Sequence, residues 1–178
     1  MEQIQGNCTM AQRKLNEEII HCIIESLTDL LKEKPFENIT IVEIITHAGV
    51  SRNSFYRNFT SKEDILVRHI KDTTEDLVES NRIPILQVSW EVYVQGMIEH
   101  LYSHREFLDL LEKNGKLHLI SDIVDETIRK RTEGKLDSYH QAFLAGGLFN
   151  IYKQWAHNGY TPSPAEIAKT FRSHVLGF

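Results

Sequence analysis

Apolar residues recur at helical spacing along nearly the whole chain, and this pattern constrains the fold more than any other feature of the sequence. In the first such segment Leu15, Ile19, Ile23 and Leu27 follow one another at four-residue steps, and polar residues fill the opposite side. Pro35 ends the segment, because the residue before a proline is disfavoured in helical geometry. Similar segments continue to the C-terminus without a convincing strand pattern. The sequence therefore predicts an all-α protein of about nine helices.

Two short helices joined by a glycine-containing turn are predicted after Pro35. Thr40 followed by Glu43 three residues later has the pattern of a capping box, which would begin the first short helix. Gly49 can adopt the left-handed conformation that ends a helix, and Ser51 can cap a second helix at 52–58. Two short helices with such a turn form a helix-turn-helix unit.

The rest of the chain is predicted as longer helices separated by proline, glycine and capping residues. Their predicted ranges are about 61–82, 85–102, 105–113, 117–131, 136–157 and 164–175. We expect one domain at residues 10–60 and a second at 61–178. Residues 1–9 are polar and are predicted to form a short mobile tail rather than a signal peptide.

Positive charge is concentrated in one short segment, although the chain as a whole carries a formal charge of −5. Residues 51–62 contain Arg52, Arg57 and Lys62 and no acidic residue. Because salt screens charges beyond about 10 Å, this local concentration matters more than the net charge. Arg52 and Asn53 lie near the start of the second short helix, where arginine can read guanine and asparagine can read adenine.

Other polar side chains of this segment suit phosphate oxygens, which fix the register of a protein on DNA without reading its sequence. They are Ser51, Ser54, Tyr56 and Lys62. Phe55 and Phe59 are predicted to face inward and to hold the second short helix against the first. The segment is therefore predicted to bind double-stranded DNA.

These motifs together resemble the tetracycline-repressor (TetR) family. The resemblance covers roughly 50 residues and depends on the Gly49–Ser51 turn, the Phe55–Tyr56 pair, Phe59 and the segment Lys62–Leu66, which follow in the family's order and spacing. It implies phosphate contacts by Thr40, Tyr56 and Lys62. The resemblance also implies base-facing positions at Arg52, Asn53, Ser54, Arg57 and Asn58. Asn58 replaces the histidine or tyrosine that is often found just before the aromatic residue at the position of Phe59.

The same resemblance implies that the last two helices of each subunit form a four-helix dimer interface, so the chain is expected to be a homodimer. The candidate interface residues are Phe143, Gly146, Gly147, Ile151, Trp155 and Phe171. The candidate residues of an effector pocket are Trp90, Tyr93, Met97 and Phe107, with ordinary core packing as the alternative.

The resulting hypothesis is a cytoplasmic, sequence-specific transcription regulator without a cofactor, a metal or enzymatic activity. It would be a repressor released from a near-palindromic operator by a small-molecule effector acting through the helix that begins at Lys62. One alternative is control by a protein partner. Another is a helical metal-binding enzyme, for which His100 and His104 are four residues apart but lack a third ligand at suitable spacing; the pair is interpreted instead as solvated or as part of a pocket rim. No apolar run is long enough to span a membrane, and the two cysteines show no disulfide or zinc spacing.

Overall fold

Helices account for nearly all of the described chain. The structure, a computed structural model, describes the backbone of residues 2–80 and 90–175, and the side chains of residues 10–74, 95–130 and 132–169. Within these ranges there are nine α-helices and no strand, which confirms the predicted all-α class. The helices are α1 (Glu2–Glu33), α2 (Ile41–His47), α3 (Arg52–Asn58), α4 (Lys62–Ser80), α5 (Trp90–Ser103), α6 (Arg105–Lys113), α7 (His118–Thr132), α8 (Ser138–His157) and α9 (Pro164–Val175).

The N-terminal helix is longer than the sequence pattern indicated. α1 begins at Glu2, so the prediction of a mobile tail at residues 1–9 is wrong for residues 2–9. No proline interrupts the chain ahead of Leu15, and residues 10–14 are mostly good helix formers, so the helix can propagate toward the N-terminus.

Local capping interactions begin the two short helices, as the sequence predicted. The Thr40 hydroxyl accepts a hydrogen bond from the backbone N–H of Glu43 at 3.2 Å, and a Glu43 carboxylate oxygen accepts one from the N–H of Thr40 at 2.9 Å. Gly49 has φ +66°, the left-handed conformation that reverses the chain after α2. Ser51 then caps α3 by accepting from the N–H of Ser54 at 3.0 Å. The helix-turn-helix geometry thus follows from contacts three residues apart.

The core of the first unit of the fold, residues 1–69, combines isoleucine and leucine side chains with three phenylalanines. Helices α1, α2 and α3 pack against one another. Phe55 and Phe59 are almost fully buried together with Phe36, which confirms that Phe55 and Phe59 face inward. The buried Ser26 hydroxyl donates to the carbonyl oxygen of Ile44 at 2.9 Å and so connects α1 to α2.

The second unit comprises residues 70–178, so α4 contributes residues to both units. Ile65 and Leu66, in the first turns of α4, are buried and belong to the first unit. The division of the structure therefore lies within α4, whereas the sequence-based domain boundary was placed just before it, at 60/61.

Within the second unit α5 runs alongside α9, and α7 packs against α8. α8 buries one face, formed by residues three and four positions apart: Ala145, Leu148, Tyr152 and Trp155. The predicted start of α9 is confirmed, since Glu166 accepts hydrogen bonds from both the N–H and the hydroxyl of Ser163. Among the described helices, none is long and apolar enough to cross a membrane.

The capping box of α2 should make stability depend on pH. Hydrogen bonding from Lys34, and then from Thr40, lowers the pKa of Glu43 to about 2. A lowered folded-state pKa stabilises the fold above the unfolded value of 4.5, and this stabilisation is lost as pH falls toward 2. We expect Glu43→Gln to be less stable than the parent protein near pH 7, with a difference that shrinks as the pH approaches about 3.

Urea unfolding followed by circular dichroism at several pH values measures this difference. Lys34→Met is the companion variant, because it removes the largest cause of the lowered pKa and should reduce the same pH dependence. A Glu43→Gln variant with the same loss of stability at both ends of the pH range would contradict the prediction.

Candidate nucleic-acid interface

The seven residues of α3 separate into an anchoring face and an exposed face. Phe55 and Phe59, which follows the last residue of the helix, lie in the core. The exposed side chains of the helix are Arg52, Asn53, Tyr56 and Arg57. The guanidinium carbon of Arg52 lies 5.8 Å from the centroid of the Tyr56 ring, close enough for the cation to be attracted to the ring. The exposed face therefore combines two cations, an amide and a phenol.

The hydroxyl groups assigned to phosphate contacts also stabilise the starts of α2 and α3. The Thr40 hydroxyl donates to Glu43 at 2.9 Å, in addition to accepting from the Glu43 backbone. The hydroxyl oxygens of Ser51 and Ser54 lie 2.9 Å apart. These side chains are therefore held in defined orientations at the starts of the two helices.

Glu43 places an acidic group beside Thr40, where a phosphate is expected. Its low pKa keeps this carboxylate charged at neutral pH. Lys34 forms an ion pair with Glu43 and offsets the negative charge. This pairing reduces the electrostatic repulsion that a DNA phosphate would meet at this point.

Lys62 is directed at the protein backbone. Its ammonium group donates to the carbonyl oxygens of Phe36 at 2.6 Å and Ile39 at 2.9 Å, with that of Glu37 at 3.3 Å. It also lies 4.4 Å from the centroid of the Phe36 ring. An ammonium group has three hydrogens, so these carbonyls can engage all of them. The phosphate contact implied for Lys62 stays a prediction, and it would require at least one of these bonds to be exchanged.

Asn58 faces α1 rather than the exposed side of α3. Asn16 donates to the amide oxygen of Asn58 at 2.9 Å, and Asn58 donates back to Asn16 at 3.1 Å. The Asn58 amide nitrogen also contacts the carbonyl oxygen of Ser54 at 2.9 Å. This reciprocal amide pair joins residues 42 positions apart, and it directs Asn58 away from the base-facing role that the resemblance implied.

The helix-turn-helix region and the all-helical fold both have counterparts among known proteins. The family model described as bacterial regulatory proteins, tetR family, matches residues 23–68, which include α2, α3 and the first part of α4. The crystal structure of a TetR transcriptional regulator from Streptococcus agalactiae 2603V shares the fold, with a TM-score of 0.65 at 20% identity, over 94% of this chain and 98% of that one. The part of this chain that matches the tetR-family model is its helix-turn-helix region. The uncharacterized HTH-type transcriptional regulator YuxN of Bacillus subtilis (strain 168) is 21% identical over an alignment 176 residues long, and the match covers 86% of this chain and 60% of that relative's length.

The second unit contains a small, mainly apolar cavity of about 50 Å³. Met97 and Phe107, two of the predicted effector-pocket residues, lie in its wall. The side chains of Trp90 and Tyr93, the other two, lie outside the described residues. The remaining wall includes apolar and polar side chains that were not among the predicted pocket residues: Ile70, Thr73, Thr74, Leu101, Leu148, Phe149 and Tyr152. Thr73, Thr74 and Tyr152 could have been predicted as cavity-lining residues, because each is a polar residue on an otherwise apolar helix face.

His100 and His104 both line this cavity, which agrees with the interpretation of the pair as part of a pocket. Their ring centroids are 4.4 Å apart. His104 Nδ1 donates to the carbonyl oxygen of His100 at 3.0 Å, so that nitrogen is occupied by the backbone. Across the described side chains, no three histidine, cysteine or carboxylate groups are grouped as metal ligands would be.

A hydrogen-bonded chain of two tyrosines leads away from the cavity. The Tyr152 hydroxyl lies 3.4 Å from that of Tyr160, which donates to Asp109 at 2.5 Å. Burial, supported by the contact with Tyr160, raises the pKa of Tyr152 well above its usual range. Burial and the hydrogen bond to Asp109 raise the pKa of Tyr160 to about 12. Both phenols therefore stay protonated near neutral pH and can serve as hydrogen-bond donors.

The predicted dimer residues of α8 occupy two different environments. Phe143 is 63% exposed, and a Cβ added to Gly146 or Gly147 would meet no described atom within 4 Å. Ile151 is half-buried. Trp155, in contrast, is 1% exposed, and its indole N–H donates to the carbonyl oxygen of Pro162 at 2.6 Å.

Trp155 thus belongs to the core of its own subunit, where its ring packs against those of Tyr102 and Tyr160. Its large apolar surface is buried without a second chain, so Trp155 is not part of the exposed surface that carries Phe143. The side chain of Phe171, the last predicted interface residue, lies outside the described residues.

The Asn16–Asn58 pair yields a prediction that separates anchoring from base reading. We expect Asn16→Ala and Asn58→Ala each to lower the free energy of unfolding by about 1 kcal/mol, because each leaves a half-buried amide without its partner. The double variant should be less destabilised than the sum, with a coupling of about 1 kcal/mol.

Urea unfolding of the four proteins gives this cycle, and DNA-binding measurements on the same proteins provide the second readout. Asn58→Ala should retain the base preference of the parent protein. Zero coupling together with an altered base preference would instead assign Asn58 to base reading.

Proposed function

We propose that the protein is a sequence-specific, DNA-binding transcription regulator, and that it acts as a repressor in the bacterial cytoplasm. The observation that carries this proposal is the exposed face of α3, which presents Arg52, Asn53, Tyr56 and Arg57 while buried aromatics hold the helix in place. Recognition helices of helix-turn-helix proteins enter the major groove with such a face.

The proposed contacts differ along the interface. Arg52 and Asn53 would read bases, because both can form paired hydrogen bonds to purine edges. Arg57 and Ser54 lie on the same helix beside them. Thr40, Ser51 and Tyr56 would contact phosphates at the rim of the groove. Asn58 and Lys62 are assigned mainly to holding the interface together, because their side chains form hydrogen bonds within the protein.

Two subunits are proposed to bind one near-palindromic operator. A single short α3 offers few base contacts, and pairing two such helices in successive major grooves about 34 Å apart doubles them. The exposed strip of α8 around Phe143, Gly146 and Gly147 is the proposed dimer interface. It supports the proposal because an apolar aromatic ring beside two glycines allows another helix to approach closely.

A small, mainly apolar effector is proposed to bind in the cavity of the second unit. His100, His104 and Tyr152 would supply its polar contacts. Residues 70, 73 and 74 of α4 form part of the same wall, and α4 begins at Lys62 in the first unit. An effector that binds one arrangement of α4 more tightly would shift DNA affinity by its difference in affinity between the two arrangements.

Control by a protein partner is the second candidate, and the small size of the cavity favours it. Its volume of about 50 Å³ is well below the roughly 300–1,000 Å³ that ligand pockets usually offer. A small molecule that changes the DNA affinity of the purified protein would decide for an effector. A protein that does so in the absence of any small molecule would decide for a partner.

A salt titration of DNA binding tests the main proposal. The purified protein is titrated with the DNA upstream of its own gene and with a scrambled duplex of equal length. We expect Arg52→Ala and Asn53→Ala each to weaken binding to the upstream duplex about 5- to 150-fold, with little change for the scrambled duplex.

The matched control is Lys32→Ala, which removes an exposed charge in the last turn of α1, outside α3, where Lys32 pairs with Asp29. It should leave both affinities close to those of the parent protein. Equal binding of the parent protein to both duplexes at low salt would overturn the assignment as a sequence-specific regulator.

The proposed interface makes a separate prediction at Gly147. Gly147→Glu should weaken the dimer, because the new carboxylate would be desolvated between two helices. The monomer should not be destabilised, since the added side chain meets open space and glycine is about 1 kcal/mol worse than other residues inside a helix.

Sedimentation over a range of protein concentrations measures the dissociation constant. Gly147→Ala is the companion variant, and its effect on the dimer should be smaller because it adds a methyl group and no charge. An unchanged dimer in Gly147→Glu would show that the interface lies elsewhere.

A further inference from the structure

A groove lined by three arginines lies beside α3 in the first unit. Its wall combines residues of α1 with Arg57 and Asn58 of α3 and Arg68 of α4. Arg13, Arg57 and Arg68 are all exposed, and Glu17 is the one acidic residue among the described residues of the wall. The groove therefore carries a net positive charge, in contrast to the chain as a whole.

The position of Arg57 connects this groove to the exposed face of α3. Successive residues of an α-helix are about 100° apart, so Arg57 lies about 140° around the helix from Arg52. Asn53 and Tyr56 fall between them, and Asn58 lies beyond Arg57. The groove thus begins where the exposed face of α3 ends, on the side of Asn58.

The geometry of DNA indicates what would meet this edge. The major groove is about 12 Å wide and has a phosphate backbone along each side. When a helix lies in it, each edge of the helix faces one of the two strands. Thr40 and Ser51, at the starts of α2 and α3, are the residues proposed above to contact phosphates. The arginine groove lies at another edge of the same helix, where an anionic backbone is also expected.

The amide pair described above holds the groove in shape. Asn16 of α1 bonds reciprocally to Asn58, and both residues are part of the groove wall. Arg13 is three residues before Asn16, so the two side chains share one face of α1. Fixing Asn16 against α3 therefore also fixes the part of α1 that carries Arg13.

We propose that this groove binds the phosphate backbone of DNA beside the segment read by α3, with Arg13 and Arg68 as additional phosphate-contact residues. The inference rests on the proposed DNA-binding function and extends it to a surface outside the helix-turn-helix. Guanidinium groups suit this role because their planar fork can form two hydrogen bonds to one phosphate.

The salt dependence of binding tests the proposal directly. Full-length Arg13→Gln and Arg68→Gln are compared with Lys14→Gln, which removes one positive charge from the same turn of α1 at an exposed residue that does not line the groove. Affinity for a fluorescent duplex of the upstream DNA, and for a scrambled duplex, is measured by anisotropy between about 50 and 200 mM salt.

Each arginine variant should reduce the magnitude of the salt slope by about 0.9 for each phosphate that it no longer neutralises. Both duplexes should be weakened by the same factor, because phosphate contacts carry no sequence information. Lys14→Gln should keep the slope of the parent protein. Thermal unfolding of each variant verifies that the fold is retained.

Two results would overturn the inference while leaving the proposed function intact. One is a slope that stays unchanged in both arginine variants although the upstream duplex is still preferred and Arg52→Ala abolishes that preference. The other is an equal reduction of the salt slope in all three variants, which would indicate general charge attraction rather than a contact surface. In the first case, a fluorescent oligoglutamate peptide can show what the groove binds instead. If the peptide binds the parent protein but not Arg13→Gln, the groove is assigned to an acidic protein segment.

Discussion

A helix of seven residues is not stable on its own in water, and α3 therefore depends on the core beneath it. Burial of Phe55 and Phe59 supplies that support, since aromatic rings remove large apolar surfaces from water. The bonds from Lys62 to the carbonyls after α1 hold the preceding connection in place. The position of the exposed polar side chains is therefore a consequence of aromatic packing in the first unit.

The parts of the fold that could be predicted from the sequence depend on short-range interactions. Capping at Thr40, Ser51 and Ser163 involves partners within three residues, and all three caps are present. The start of α1 was missed because helix propagation toward Glu2 needs no marker residue. The inward orientation of Phe55 and Phe59 was predicted because helical spacing alone places them opposite the polar side chains.

The details that could not be predicted involve partners distant in the chain. Asn58 bonds to a residue 42 positions away, and Lys62 bonds to backbone carbonyls more than 20 residues earlier. The type of a residue limits which hydrogen bonds its side chain can form, but the packing of the helices determines its partner. For the same reason Trp155 was placed in a predicted dimer interface, while its burial within its own chain became evident only from the structure.

The two faces of α3 also bear on how such a protein can change over time. The side chains that hold the helix are Phe55, Asn58 and the adjoining Phe59, whereas Arg52, Asn53 and Arg57 extend outward. Exchange of an outward residue removes little packing, so its cost in stability is small. Mutation can thus sample new outward residues while the scaffold stays folded. Preference for one DNA sequence can diverge between related genes without compensating changes in the core.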